Sequence, residues 1–142
     1  MKIRDATKRD IKEIVGIFLV ETNKKPYLQG WNEKTALAKI KGLFKDEEVY
    51  VALINDKIVG FVTIKLKKKK NEIYVDEFWL RKNHQEKGIG TEIMKFIENR
   101  YKKKGFGIMA VTAHQKARAL NFYKKMRFKE KHLYVYLTKR IK

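Results

Sequence analysis

The run Gln85-Glu86-Lys87-Gly88-Ile89-Gly90-Thr91 has the residue types and spacing of a phosphate cradle. Glycines between a β-rich run and a helical one let backbone N–H groups approach a ligand closely, and the helix start adds a positive dipole end. Lys87 contributes a cation beside them. Two glycines one residue apart also occur in ordinary turns, so the flanking elements carry the weight. A Rossmann fingerprint requires a third glycine where this chain has Ile93, and it follows an early first strand. A P-loop requires Gly-Lys-Ser/Thr, which the sequence lacks.

A second group of interest is acidic. Asp76 and Glu77 lie inside a β-branched and aromatic run, where carboxylates are unusual. In a regular strand they point to opposite faces, a parity that a bulge would undo. Either one offers a general base or, more plainly, an ion pair at a sheet edge. His84, His114 and His132 are scattered at element ends without metal-ligand spacing, so no metal site is expected. His84 reads as a cap on the loop before the cradle. Cysteine is absent, which excludes disulfides, thiolate metal sites and cysteine nucleophiles.

These residues need a scaffold. The chain has 142 residues, a length that fits one domain over 1–142. Leu, Ile, Val and Phe make 41 of them, far above the roughly 20% floor for a charged chain to fold. The N-terminal residues lack the apolar core of a signal peptide, and no apolar run approaches the roughly 18 residues of a membrane span. The expectation is a cytoplasmic protein with no membrane association. Net charge is +19, and 28 of the 35 basic residues are Lys. An acidic partner such as nucleic acid or the ribosome is one reading of that charge. Lys-rich composition is the other, favoured because Arg, the main reader of bases, occurs only seven times.

Hydrophobic period supplies the elements. Lys2–Ala6 reads as a strand, and Thr7 with Asp10 as a capping box before Ile11, Ile14, Val15, Phe18 and Leu19 on one helical face. Asn32 caps a second helix, with Ala36, Leu37, Ile40, Leu43 and Phe44 turned inward. Val49–Ile54 and Ile58–Leu66 flank a hairpin turn at Asn55-Asp56-Lys57. Lys67–Asn71 is a charged, solvated turn before the strand Ile73–Leu80. Helical period returns over Gly88–Lys104, ended by Gly105. A strand at Ile108–Thr112, a helix at Ala117–Met126 and a last strand over Leu133–Leu137 complete the order. A meander feeding a β-α-β crossover predicts an α/β fold with a central mixed, mostly antiparallel sheet and about four flanking helices.

A phosphate-bearing cofactor compatible with this junction is coenzyme A. Gln85-x-x-Gly88-x-Gly90, preceded by Asp76-Glu77-Phe78-Trp79-Leu80, resembles the cofactor motif of the GNAT family of N-acetyltransferases. Ala119, Leu120, Phe122-Tyr123 and Phe128 resemble that family's last motif, and the element order agrees over nearly the whole chain. The family's usual glycine before the final Phe is Arg127 here, which asks for a slightly different turn. The Asn that often contacts the cofactor corresponds to Lys116, and a late-strand Glu to Thr112.

The resemblance implies direct acetyl transfer from acetyl-coenzyme A to an amine of a small molecule, a protein N-terminus or a lysine. It implies that the backbone N–H groups of Glu86, Lys87, Gly88, Ile89, Gly90 and Thr91 hold the pyrophosphate, with Gln85 and Lys116 nearby. A branched side chain at Gly90 would then obstruct the phosphate. Phe78, Trp79 and Leu80 would pair with the pantetheine arm, with the Leu80 N–H on the thioester carbonyl. Tyr123 becomes the general acid and Glu77 the base, with Asp76 or His114 in reserve. Tyr27, Gln29, Trp31, Glu33 and Glu21 fall where acceptor recognition is expected, although Trp31 equally suits the core. A strongly basic surface disfavours polycationic acceptors. Two alternatives remain: a basic nucleic-acid-binding module, and a coenzyme A-binding domain without transfer activity. A monomer or a homodimer fits equally.

Overall fold

The computed structural model describes residues 1–131 and 135–141. Among the described residues five strands form one sheet in the order β1-β2-β3-β4-β5: Lys2–Asp5, Glu48–Ile54, Lys57–Lys67, Glu72–Leu80 and Ile108–Val111. The first four pair antiparallel and β5 runs parallel to β4. Four α-helices accompany them among the described residues: α1 (Ile11–Thr22), α2 (Glu33–Asp46), α3 (Ile89–Lys103) and α4 (Arg118–Lys125). This is the mixed, mostly antiparallel sheet that the hydrophobic period predicts.

Side-chain alternation divides the core into two layers. Val49 and Val51 of β2 meet Ile14, Ile17 and Phe18 of α1 and Ala36, Ile40 and Leu43 of α2. The intervening Tyr50 and Ala52 face Ile93, Met94, Ile97 and Tyr101 of α3. All four of these α3 side chains are fully buried, each stabilising the fold by about 1.5–3 kcal/mol. Asp10 closes the entry to α1: its carboxylate accepts the Thr7 N–H at 2.8 Å and pairs with Arg4 at 2.8 Å. That pairing holds the Asp10 carboxyl below the usual carboxylate range. Asn32 accepts the Thr35 N–H at 2.8 Å and starts α2.

Two turns and one strand differ from the sequence expectations. The β2–β3 hairpin uses a two-residue loop, Asn55-Asp56, because Lys57 already pairs with Ile54. Both loop residues have positive φ, 51° and 64°, the twist that suits a tight hairpin. The last predicted strand does not form where it is described. Val135, Tyr136 and Leu137 are largely exposed and irregular, and Leu133 and Tyr134 lie outside the described residues. Alternation specifies a strand only when one face finds something to cover it.

The third concerns Arg127, which adopts φ 71° rather than a different turn. Phe128 N–H donates to Tyr123 O and Arg127 N–H to Lys124 O, both at 3.0 Å, and the Phe128 and Tyr123 rings meet at 5.4 Å. This is the Schellman ending with its apolar contact. The end of α3 is built the same way, but with Gly105 (φ 94°) at the left-handed position. An L-residue there costs about 1–2 kcal/mol. Arg127→Gly is therefore expected to raise stability by about 1 kcal/mol and the melting temperature by about 2–4 °C. An unchanged or lower melting temperature would show that the Arg127 side chain offsets its own strain.

Candidate active site

The site grows from an irregularity in β4. Ile64 pairs with Val75 but Thr63 pairs with Glu77, so Asp76 is an extra residue at a bulge. The bulge shifts the strand's phase. Ile73 and Val75 face α3, and beyond the bulge Phe78 and Leu80 do, while Trp79 joins the α1–α2 layer. Glu77 is tied to that same side, because its carboxylate accepts the Trp79 indole N–H at 2.7 Å. The regular-strand parity of Asp76 and Glu77 is thus overturned, and the two carboxyls are neighbours.

Pairing between β4 and β5 stops at Val75–Val111, just before the bulge. Beyond it, among the described residues, no strand pairs with the β5 side of β4. Arg81 N–H donates to Val59 O at 2.8 Å, so Gly60–Leu80 is a non-hydrogen-bonded pair. The Leu80 N–H and C=O, and by the same alternation those of Phe78, therefore turn toward the β5 side. Gly60 permits this approach: a Cβ there would lie 2.8 Å from Trp79 O.

Gln85 closes the notch from below. Its carboxamide donates both to Leu80 O and to the buried Glu21 of α1, each at 2.9 Å. Lys24 balances the other Glu21 oxygen at 2.9 Å. From Gln85 the chain passes Glu86 (φ 61°) and Gly88 (φ 79°) into α3. Among the described residues no side chain caps this helix, so the first-turn amides of Ile89, Gly90 and Thr91 have no described partner of that kind. Lys87 and Lys116 are exposed, and Glu86 pairs with Arg118 at 3.0 Å. A Cβ at Gly90 would meet Phe122 at 3.4 Å and Phe78 at 3.6 Å, not the helix mouth. A branched residue there would press on α4, which replaces the steric reason that the spacing suggests.

Aromatic side chains form the opposite wall. Tyr123 is 6% exposed, packed between Phe122 at 5.2 Å and Phe128 at 5.4 Å. Burial, reinforced by the neighbouring phenols Tyr27 and Tyr74, holds its hydroxyl well above the ordinary tyrosine pKa. Tyr27 packs edge-on to Trp79 at 4.8 Å and to His114 at 6.2 Å. His114 Nδ1 accepts the Lys116 N–H at 3.0 Å, and Tyr74 donates to Thr112 at 2.7 Å. Of the expected acceptor residues, Tyr27 and Glu21 adjoin the notch. Trp31 instead packs on Phe18 at 5.2 Å, and Gln29 is bound to its indole N–H. Glu33 is exposed at the start of α2.

Glu77 is mostly buried, and desolvation raises its pKa, opposed by the Trp79 N–H and by Lys39 at 4.0 Å. Periodicity gave no sign of one further group, Glu47, at the junction of α2 and β2. Burial, helped by the carboxyl of Asp76, pushes Glu47 up to about 7, while Thr63 and Lys39 pull it down. The folded protein therefore keeps a proton that the unfolded chain releases near 4.5. This contribution is complete below pH 4.5 and is lost as pH rises through 7. Glu47→Gln is expected to match wild-type stability near pH 4.5 and exceed it by about 1 kcal/mol at pH 8, after discounting for partial solvent access. Thermal scans across that range test it, and a pH-independent difference would refute the assignment.

The sheet is thus split between a bulged β4 and a short parallel β5, with the start of α3 beside the split. The acetyltransferase (GNAT) family model matches residues 17–128, and the chain belongs to that family. No curated protein sequence matches the chain. Among solved structures, a possible acetyltransferase from Clostridium difficile 630 superposes with a TM-score of 0.80. It is 17% identical, covering 99% of this chain and 98% of that one. A ribosomal-protein-alanine N-acetyltransferase from Brucella melitensis biovar Abortus 2308 gives 0.76 at 15% identity, covering 98% of each chain. The aminoglycoside N-acetyltransferase AAC(6')-Iy in complex with CoA gives 0.76 at 13%, covering 98% and 94%. At such identities the likeness is one of fold. Among the described residues there is no cluster that could hold a metal ion, and no helix is long and apolar enough to cross a membrane.

Proposed function

We propose that this protein moves an acetyl group from acetyl-coenzyme A directly to an amine of a small molecule, a protein N-terminus or a lysine. The observation that carries this reading is the β4 edge beyond the bulge, where the Leu80 N–H turns to the side left without a described partner strand. The residues present suit the cofactor. The uncapped first turn of α3, with the left-handed Glu86 and Gly88 before it, offers amides and a dipole end to a pyrophosphate. Phe78 and Leu80 offer the amide and carbonyl pattern that an extended pantetheine arm can pair with.

Acetyl-coenzyme A supplies the activated thioester; the protein's groups supply position and protons. The Leu80 N–H stabilises charge developing on the carbonyl oxygen. Glu77 accepts the proton of the incoming ammonium, whose pKa near 10 keeps it charged at neutral pH. Tyr123, held protonated by burial, donates to the departing thiolate. Tyr27 and Trp79 shape the acceptor side. The positive surface favours neutral or acidic acceptors, or a peptide N-terminus, over polycations.

Saturating acetyl-coenzyme A, at about 100 times its dissociation constant, is expected to add about 2.7 kcal/mol of stability. For this chain length that raises the melting temperature by roughly 5–10 °C. The absence of both a shift and a calorimetric binding signal would overturn the reading. A screen of amino acids, peptides, aminoglycosides and polyamines by thiol release then identifies the acceptor.

A further inference from the structure

The far end of β4 carries a second feature, unrelated to acetyl transfer. The β3–β4 hairpin turns through Lys68, Lys69 and Lys70, and α3 ends with Lys102 and Lys103, followed by Lys104 at its C-cap. These two lysine triplets are distant in sequence, yet one residue clasps them together. Asn71 O accepts the N–H groups of Gly107 and Ile108, each at 3.1 Å. The clasp is close: a Cβ on Gly107 would lie 2.7 Å from the Asn71 side chain. All six lysines are exposed, and none pairs with a carboxylate among the described residues. The nearby Glu72 is engaged by Lys67 instead, at 3.7 Å. The helix dipole accounts for cations at the end of α3 but not for three more at a hairpin turn. Like charges gathered on two adjoining segments repel one another, an arrangement that a polyanion would relieve.

We infer that this lysine pole binds the phosphodiester backbone of a nucleic acid. Six Lys and no Arg are compact point charges without the planar fork that reads base edges, so binding is independent of sequence. Among the described residues adjoining the two triplets, Ile108 at the start of β5 is the only exposed large apolar side chain, too little to anchor in a bilayer. The pole lies about 25 Å along β4 from Leu80, counting about 3.3 Å per residue. Nucleic acid can therefore be held while the notch stays open to an acceptor.

The test compares two variants of equal charge. One replaces Lys68, Lys69, Lys70, Lys102 and Lys103 by Gln; the other replaces the exposed Lys8, Lys12, Lys34, Lys41 and Lys45. Affinity for labelled 20-base-pair RNA and DNA duplexes is followed by anisotropy across a salt series. The pole variant is expected to lose at least about tenfold at 100 mM salt, with its log–log salt slope reduced by roughly three or more, at about 0.9 per phosphate contact. The control is expected to stay within about threefold. In low salt the pole variant is expected to melt no lower than wild type, because repulsion has been removed. RNA and DNA affinities show which duplex is preferred, and a loss confined to the pole variant on either one supports the site. Equal losses in both variants would assign the binding to diffuse charge and overturn the proposal. So would an unaffected pole variant, or wild-type protein that binds anionic phosphatidylserine vesicles but neither duplex.

Discussion

Tyr123→Phe is expected to lower turnover by roughly tenfold to a thousandfold, with affinity for acetyl-coenzyme A nearly unchanged. The substitution removes one hydroxyl and keeps the ring, so the contacts with Phe122 and Phe128 persist. A general acid or base typically contributes 10²–10⁴-fold, and a thiolate leaves well enough for water to replace part of that. The range therefore sits at the lower end. Because burial holds the phenol well above its ordinary pKa, it remains protonated through the neutral range, the state that the proposed donor role requires. Steady-state kinetics on any accepted amine, with a separate measurement of cofactor binding, check this. Wild-type turnover in the variant would leave Tyr123 as a packing residue of α4.

Glu77→Gln is expected to reduce the rate at pH 7 by about a hundredfold and to change the shape of the pH profile. In wild type the rate is expected to rise with pH as Glu77 loses its proton, and desolvation raises that pKa from its ordinary value. The groups that face Glu77 act in opposite senses. The Trp79 N–H and Lys39 favour its charged form, and Asp76 opposes it. A Gln side chain can still accept the Trp79 N–H, so the wall of the notch is retained while the base is removed. The acidic limb should then move toward the pKa of the amine itself, near 10, and activity should recover at high pH. A variant profile that overlays that of wild type would mean that another group or water takes the proton. Glu47, titrating near 7 beside Asp76, is the first to examine in that event.

Much of this arrangement is legible in the residues alone. The 3.6-residue period marks α1, α2 and α3, and Asn32, Gly88 and Gly105 lie at their observed ends. Gln85-x-x-Gly88-x-Gly90 with Phe122-Tyr123 points to the family, and the match over residues 17–128 bears that out. These signals are local. Helix period, capping and a glycine that must take positive φ all depend on neighbours within a few residues.

Other features depend on what lies across the sheet. The bulge at Asp76 exists because β3 and β4 pair out of step there, a relation between strands that neither strand encodes alone. It puts Glu77 and Trp79 on one side and turns Leu80 toward the β5 side, reversing the parity of a regular strand. Glu47 gains its raised pKa only because α2 and β2 bring it against Asp76, 29 positions later. The strand expected at Leu133–Leu137 has the right alternation, yet Val135–Leu137 find no covering face and stay irregular. The sequence by itself determined the helices, the caps and the family. Strand phase, the company of each carboxyl and the fate of an exposed apolar run were decided by the tertiary structure, because each depends on a partner surface distant in the chain.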